Sequence, residues 1–283
     1  MTSDRAAFVE QRLRTSASKR GASVIPFIVG GHPSLGATER TLAALAGAGA
    51  PIVEVGVPFS DPIADGPVIS QAMKRAIESG TTPAALLASI ARVRAGVPAG
   101  IVLMVSVSIV ERIGRERFVG AACDAGADGL VVPDLDLDEA PEMAACCRSR
   151  GLCMAMLVAP ASSPERRRRI VEHCSGFVYL LARQGVTGAG SRASADANSR
   201  PNDAEEDLSR RVAELRSITS LPIACGFGIS TRAQVEMVLR HADAAIVGSS
   251  LVRGMDGAAD EHAAAASAAD LLRSLSGAAS FAQ

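Results

Sequence analysis

Eight short runs along the chain are apolar at nearly every position instead of alternating: VIPFIVG (24–30), PIVEVGV (51–57), GIVLMVSV (100–107), GLVVPDL (129–135), CMAMLVA (153–159), GFVYLLA (176–182), PIACGFG (222–228) and AAIVGSS (244–250). A strand that is apolar along its whole length is covered on both faces, as in a parallel sheet lined by helices. Helical periodicity fills the intervals, for example LGATERTLAALAGAGA (35–50), TTPAALLASIARVRAG (81–96) and STRAQVEMVLRHA (230–242). Strand–helix alternation repeated eight times predicts an α/β fold, a (β/α)8 TIM barrel forming a single domain over 1–283. Residues 4–17 read as an extra N-terminal helix and the Ala-rich stretch 257–274 as a closing one. Thr82, ahead of Pro83, and Ser230, ahead of a polar first turn, are candidate N-caps. Periodicity lapses between Gly188 and about Glu205, where AGSRASADANSRPNDA predicts a mobile loop, about 184–204, leaving the carboxyl end of the sixth strand.

Composition narrows the ligand class. With a formal net charge of -1, the chain has no electrostatic case for nucleic acid or an anionic membrane, and the run Arg166–Arg169 reads as a solvated helix face. Small molecules are the expected ligands. The six cysteines lack C-x-x-C spacing and lie mostly in apolar segments, so they are expected reduced and buried. No apolar run reaches transmembrane length, and MTSDRAAFVEQRL lacks the shape of a signal peptide, so the cytoplasm is the expected compartment.

In this fold the chemistry gathers at the carboxyl ends of the strands. Glu54 interrupts the second run, and Asp65 follows eleven residues later in a segment stiffened by Pro58 and Pro62, within EVGVPFSDPIADGP. A carboxylate inside an apolar strand needs a partner or a raised pKa, and the latter suits proton transfer. Asp65 alone would pass for turn chemistry, but a rigid loop holds a second carboxylate in place. Glycine turns close three consecutive strands: Gly185-Val186-Thr187-Gly188, Gly226-Phe227-Gly228-Ile229-Ser230 and Gly248-Ser249-Ser250. Together they predict a phosphate site made of backbone N–H groups. The four histidines are scattered, which predicts no metal site, and the absence of G-x-S-x-G or GK[ST] sets aside serine hydrolase and P-loop chemistry.

PFSDPIADGP, YLLARQGVTG, GFGIS and VGSS, in this order and at these strand ends, resemble the α subunits of tryptophan synthase, a likeness running from IPFIVGGHP at 25–33 to the last strand. The resemblance implies a cofactor-free retro-aldol lyase that cleaves indole-3-glycerol phosphate to indole and glyceraldehyde 3-phosphate in tryptophan biosynthesis. It implies Glu54 as the acid/base acting on the indole C3 carbon and the glycerol hydroxyl, and Asp65 as the carboxylate facing the indole nitrogen. Gly188, Gly228, Gly248 and Ser249 match the phosphate-holding positions, and Phe27, Tyr179 and Phe227 the walls around substrate. Arg183 and Thr187 match the hinge of the mobile loop, with Thr187 reaching Asp65 on closure. The implied partner is a β subunit that alone carries pyridoxal phosphate and receives the indole in an α2β2 heterotetramer, with Pro58 and Asp61 in the loop facing it.

Three positions depart from the family. Val105 and Val107 stand where an aromatic and an amide are usual, Asp136 stands where a proline is usual, and the loop after the sixth strand is longer. They are expected on the surfaces that face the β subunit or line the active site, and beside the substrate a lost phenol or amide removes hydrogen bonds worth about 1 kcal/mol each. A second reading is therefore a catalytically weakened barrel that binds and activates the β subunit. A different phosphate-handling barrel, such as a sugar-phosphate isomerase or aldolase, is a third, its Schiff-base version opposed by the chain's two lysines, Lys19 and Lys74, which both lie outside the strand runs.

Overall fold

The computed structural model describes residues 4–18, 23–61, 66–181, 203–226 and 228–277. Among these the strands are β1 (Val24–Val29), β2 (Ile52–Gly56), β3 (Gly100–Met104), β4 (Gly129–Val131), β5 (Cys153–Ala155), β6 (Leu157–Val158), β7 (Val178–Leu181), β8 (Ile223–Gly226) and β9 (Ala244–Val247). The helices are α1 (Arg5–Ala17), α2 (Leu35–Gly47), α3 (Pro67–Glu78), α4 (Pro83–Val93), α5 (Val107–Ile113), α6 (Arg115–Asp124), α7 (Ala140–Ser149), α8 (Pro164–Glu172), α9 (Asp203–Arg216), α10 (Arg232–Leu239), α11 (Ser249–Met255) and α12 (Glu261–Ser276).

All strand pairs are parallel, in the lateral order β5-β4-β3-β2-β1-β9-β8-β7-β6. The two outer members are halves of one apolar run divided at Met156, whose carbonyl accepts from Tyr179 N at 3.1 Å. The ring thereby closes, and the expected (β/α)8 barrel is the observed one.

Burial on both faces hides the inside from the outside in a hydrophobicity pattern, but packing separates them. Ile25, Phe27, Val29, Ile52, Val102, Met104, Val131, Cys153, Ala155, Tyr179, Ala224, Ala244 and Ile246 form the inner cluster. Their sequence neighbours Val24, Ile28, Val53, Val55, Ile101, Leu103, Leu130, Met154, Val178, Leu180, Ile223, Cys225, Ala245 and Val247 pack outward against the helices. Successive side chains of a strand point to opposite faces, and this parity determines which strand residues reach the barrel axis.

The extra helix α1 covers the amino-terminal end of the barrel. Val9 and Leu13 join the inner cluster, and Arg5 and Ala6 donate their backbone N–H groups to Gly151 O just ahead of β5. Arg5 Nη1 also reaches Cys123 O at 2.9 Å and Ala127 O, while the Asp4 side chain caps the helix. Below the barrel, Asp128 is 4% exposed, accepts from Ile101 N at 2.9 Å and lies 3.1 Å from Arg94 Nη2.

Several boundaries differ from the sequence expectation. The third run ends as a strand at Met104, because Ser106 takes up the cap of α5 and its side chain accepts from Ser108 N. Thr82 caps α4 as expected. The cap of α10 is Thr231 instead of Ser230, since Thr231 and Gln234 form a reciprocal capping box, and Ser230 N donates to Gln234 Oε1. The closing helix starts at Glu261 behind the Asp260 cap, later than residue 257. Helix α9 begins at Asp203, so the loop expected to reach 204 ends earlier; residues 182–202, which hold most of it, lie outside the described residues. Cys147, Cys153 and Cys225 are buried, but Cys123, Cys146 and Cys174 are only half-buried. Within the arginine run, Arg167 is largely covered and pairs with Glu214 on α9, while its neighbours are exposed.

Candidate active site

Glu54 sits at the middle of β2, on the parity of Ile52 and Gly56, so its side chain enters the barrel. It is 2% exposed, and in register it stands beside Phe27 of β1 and Val102 of β3, both buried. Burying a carboxylate in such surroundings costs several kcal/mol unless neighbouring groups compensate, a cost that a purely structural position between Phe and Val does not require.

The segment leaving β2 is tied down at its start, where Val57 N donates to Met104 O at 2.8 Å and Pro58 is buried. Asp61 is exposed and accepts a hydrogen bond from Ser60 Oγ at 2.6 Å. Asp65 lies outside the described residues, and its successor Gly66 is the N-cap of α3, with Pro67 at the first helical position.

Two of the three glycine turns are described. Gly228, after β8, has φ +80, a left-handed conformation that favours glycine with or without a ligand. Gly248, after β9, has φ -122 and caps α11 without a side-chain hydrogen bond, which leaves the first-turn N–H groups of that helix to other acceptors. Ser250 Oγ, in the same turn, is buried with no hydrogen-bond partner among the described residues. Ser249 is the first residue of α11 and half-buried. Gly188, Arg183, Thr187 and Phe227 lie outside the described residues.

The ring-bearing residues explain why glycines border them. Tyr179 and Phe27 are 3% and 4% exposed and face the barrel axis. A Cβ on Gly226 would stand 2.5 Å from the Tyr179 hydroxyl oxygen, and one on Gly248 would stand 3.1 Å from Phe27 Cδ1. The glycines at the carboxyl ends of β8 and β9 thus serve packing of these rings as well as access for a ligand to the backbone.

Of the two surfaces expected for the departures, the one facing the β subunit and the one lining the active site, the packing of Val105 and Val107 bears on the second. Val105 packs in the outer layer at 1% exposure, so on this backbone its side chain faces the helices. Val107 packs against that same layer, and its N–H donates to Asp134 Oδ1 at 2.8 Å. Asp136 closes a local turn, accepting from Asp138 N at 3.0 Å. Two features escaped the sequence reading. Ser106 Oγ donates to Asp134 Oδ2 at 2.6 Å and links the ends of β3 and β4. Arg211 on α9, 3% exposed, donates to Leu181 O at 2.5 Å where β7 ends, and burial lowers its pKa. The Asp in PDLDLD was a visible signal for the first, but Arg211 sits among the other arginines of a helix and carries none.

Burial pushes the thiols of Cys147 and Cys225 up to about 12, which leaves them protonated and unreactive. Among the described residues no group of three or more His, Cys, Asp or Glu side chains is placed to hold a metal ion, and no helix is long and apolar enough to cross a membrane.

Comparison with known proteins gives this geometry a family. The family model described as tryptophan synthase alpha chain matches residues 13–279. The tryptophan synthase alpha chain of Halorhodospira halophila is 41% identical over 266 residues, covering 94% of this chain and 92% of its own, and that of Gloeobacter violaceus is 39% identical over 246 residues, covering 87% and 85%. Among solved structures, a Mycobacterium tuberculosis tryptophan synthase chain superimposes with a TM-score of 0.81 at 32% identity, covering 95% of this chain and 96% of its own. The tryptophan synthase A-subunit of Pyrococcus furiosus does so with a TM-score of 0.78 at 30% identity, covering 90% and 98%.

Proposed function

This chain belongs to the tryptophan synthase alpha chain family, and from that premise we propose that it cleaves indole-3-glycerol phosphate to indole and glyceraldehyde 3-phosphate with Glu54 and Asp65 as its two working carboxylates. The observation that carries this reading is Glu54, buried and turned to the barrel axis between Phe27 and Val102. Glu54 takes the proton from the glycerol hydroxyl next to the ring. Protonation of indole C3 comes first, and as the hydroxyl proton is taken the bond between that carbon and C3 breaks, its electron pair returning to the ring and neutralising the positively charged nitrogen, so the protons balance and the net reaction needs no cofactor. Asp65 faces the ring N–H and stabilises the positive charge that develops when C3 is protonated.

Backbone N–H groups at Gly228 and Gly248–Ser249, joined by Gly188, hold the phosphate, a task suited to the uncapped start of α11. Phe27, Tyr179 and Phe227 wall the indole, and Arg183 and Thr187 belong to the loop that shuts over it. Asp61, exposed on the segment after β2, meets a β subunit that carries the pyridoxal phosphate, while buried Pro58 keeps that segment in place, in an α2β2 assembly.

The test is indole release from indole-3-glycerol phosphate by the purified chain, alone and with a β subunit added, for wild type, Glu54→Gln and Asp65→Asn. Both variants are expected to lose at least about a hundredfold in kcat. Cleavage at wild-type rate by Glu54→Gln would overturn the assignment; absence of cleavage by wild type in either mixture would leave a barrel that only binds and activates its partner.

A further inference from the structure

Away from the residues assigned above, three segments that border the site meet at a single carboxylate oxygen. Asp256, immediately after α11, places Oδ1 2.5 Å from Arg75 Nη1 on α3 and 3.1 Å from Nε2 of His32, in the segment leaving β1. The His32 side chain is 3% exposed, and its ring meets the carboxylate at hydrogen-bonding distance but off the hydrogen-bond line. The His32 segment is itself fixed to the barrel mouth, since Gly30 N donates to Gly56 O at 2.9 Å and Gly31 N to Thr38 Oγ1 at 2.8 Å.

The two helices joined by this oxygen are the ones that continue from the two ends of the site. Helix α3 begins two residues after Asp65, and α11 begins in the Gly248–Ser249 turn. Ile69 and Met73 of α3 and Val252 of α11 belong to one apolar cluster, and apolar contact resists separation better than sliding. Arg75 lies eight residues into α3 and Asp256 at the far end of α11, about 10 Å along each helix from its site-bearing start. A directional charged contact at that distance fixes how far each helix can slide or turn.

We propose that Asp256, with Arg75 and His32, is a positioning cluster that sets the separation between the start of α3 at Gly66–Pro67 and the Gly248–Ser249 turn; it rests on the reaction assigned above. Substrate affinity comes mainly from the phosphate turn, which stays intact when the clasp is cut. The start of α3 is then misplaced relative to the anchored substrate, and misplacement of a reacting group by about 1 Å costs up to a hundredfold in the chemical step.

Asp256→Asn, Arg75→Met, Arg75→Lys and the double variant Arg75→Met/Asp256→Asn are assayed for kcat and KM in indole release, with thermal unfolding of each and Glu54→Gln alongside. The expected result is a kcat about tenfold lower in Asp256→Asn and Arg75→Met, KM within about threefold of wild type, a double variant no worse than either single one, and restored turnover in Arg75→Lys. A wild-type kcat in folded Asp256→Asn overturns the proposal, as do losses that multiply in the double variant. If Asp256→Asn does not fold, the Arg75→Met and Arg75→Lys pair decides by the same criteria. Clasp variants at wild-type rate beside an inactive Glu54→Gln would reject the clasp and leave the reaction standing, while a wild-type rate in Glu54→Gln would reject the reaction assignment and the clasp with it.

Discussion

Replacing Gly248 by alanine separates the two reasons a glycine stands there. With φ -122, Gly248 is outside the left-handed region that favours glycine, so the first effect to weigh is the contact of an added methyl group. The new methyl group would sit 3.1, 3.4 and 3.5 Å from Cδ1, Cβ and Cγ of Phe27, and the ring must give by a few tenths of an ångström. Overpacking of that size costs about 1 kcal/mol and lowers Tm by about 2–4 °C. The methyl group also projects into the barrel mouth beside the N–H groups that begin α11. If a phosphate oxygen must approach them, one charge-assisted hydrogen bond worth about 1.5–3 kcal/mol is lost. KM for indole-3-glycerol phosphate then rises about 10- to 150-fold with kcat little changed, because the lost contact is present equally in ground and transition states. Steady-state indole release at varied substrate reads this directly, and inhibition by inorganic phosphate should weaken in parallel. A KM within about threefold of wild type, together with the small drop in Tm, would show that Gly248 only makes room for Phe27.

At the opposite end of the barrel, Asp128→Ala should cost about 2 kcal/mol in denaturant unfolding, since it removes the acceptor of Ile101 N and the carboxylate beside Arg94, which among the described residues keeps only Val97 O and Ala99 O. Asp128→Asn, which keeps an acceptor, should cost about half as much, and both folded variants should retain wild-type kcat and KM; a kinetic defect would contradict the division between a stabilising floor and a reactive mouth. His32 has its pKa lowered by burial, an effect that Arg75 reinforces and Asp256 opposes. The folded state resists a proton that the unfolded chain accepts below about pH 6.5, so the His32 contribution is complete above that pH and is lost as pH falls toward the lowered folded value. Denaturation midpoints measured from pH 7.5 to 5 should decline less steeply in His32→Gln than in wild type; parallel curves would exclude this source.

The sequence was a good guide to elements and a poorer one to their ends. The apolar runs marked every barrel strand because a helix-covered parallel strand has no polar face. The same property concealed parity: in IVEVG only Glu54 breaks the run, and nothing in Val105 or Val107 distinguishes a side chain facing the axis from one facing a helix. The cap of α10 was misplaced by one residue because Ser230 and Thr231 are chemically equivalent, and only the reciprocal bond with Gln234 selects Thr231.

By itself the sequence determined the barrel class, the family and the short list of carboxylates and glycine turns, since these follow from periodicity and from local motifs read within a few residues. Tertiary structure decided which side of the sheet each residue faces, that the glycines at 226 and 248 border the rings of Tyr179 and Phe27, and that His32, Arg75 and Asp256 share one oxygen. Those three are separated by 43 and 181 positions in the chain (75 minus 32, 256 minus 75), and only closure of the barrel brings β1, α3 and α11 together.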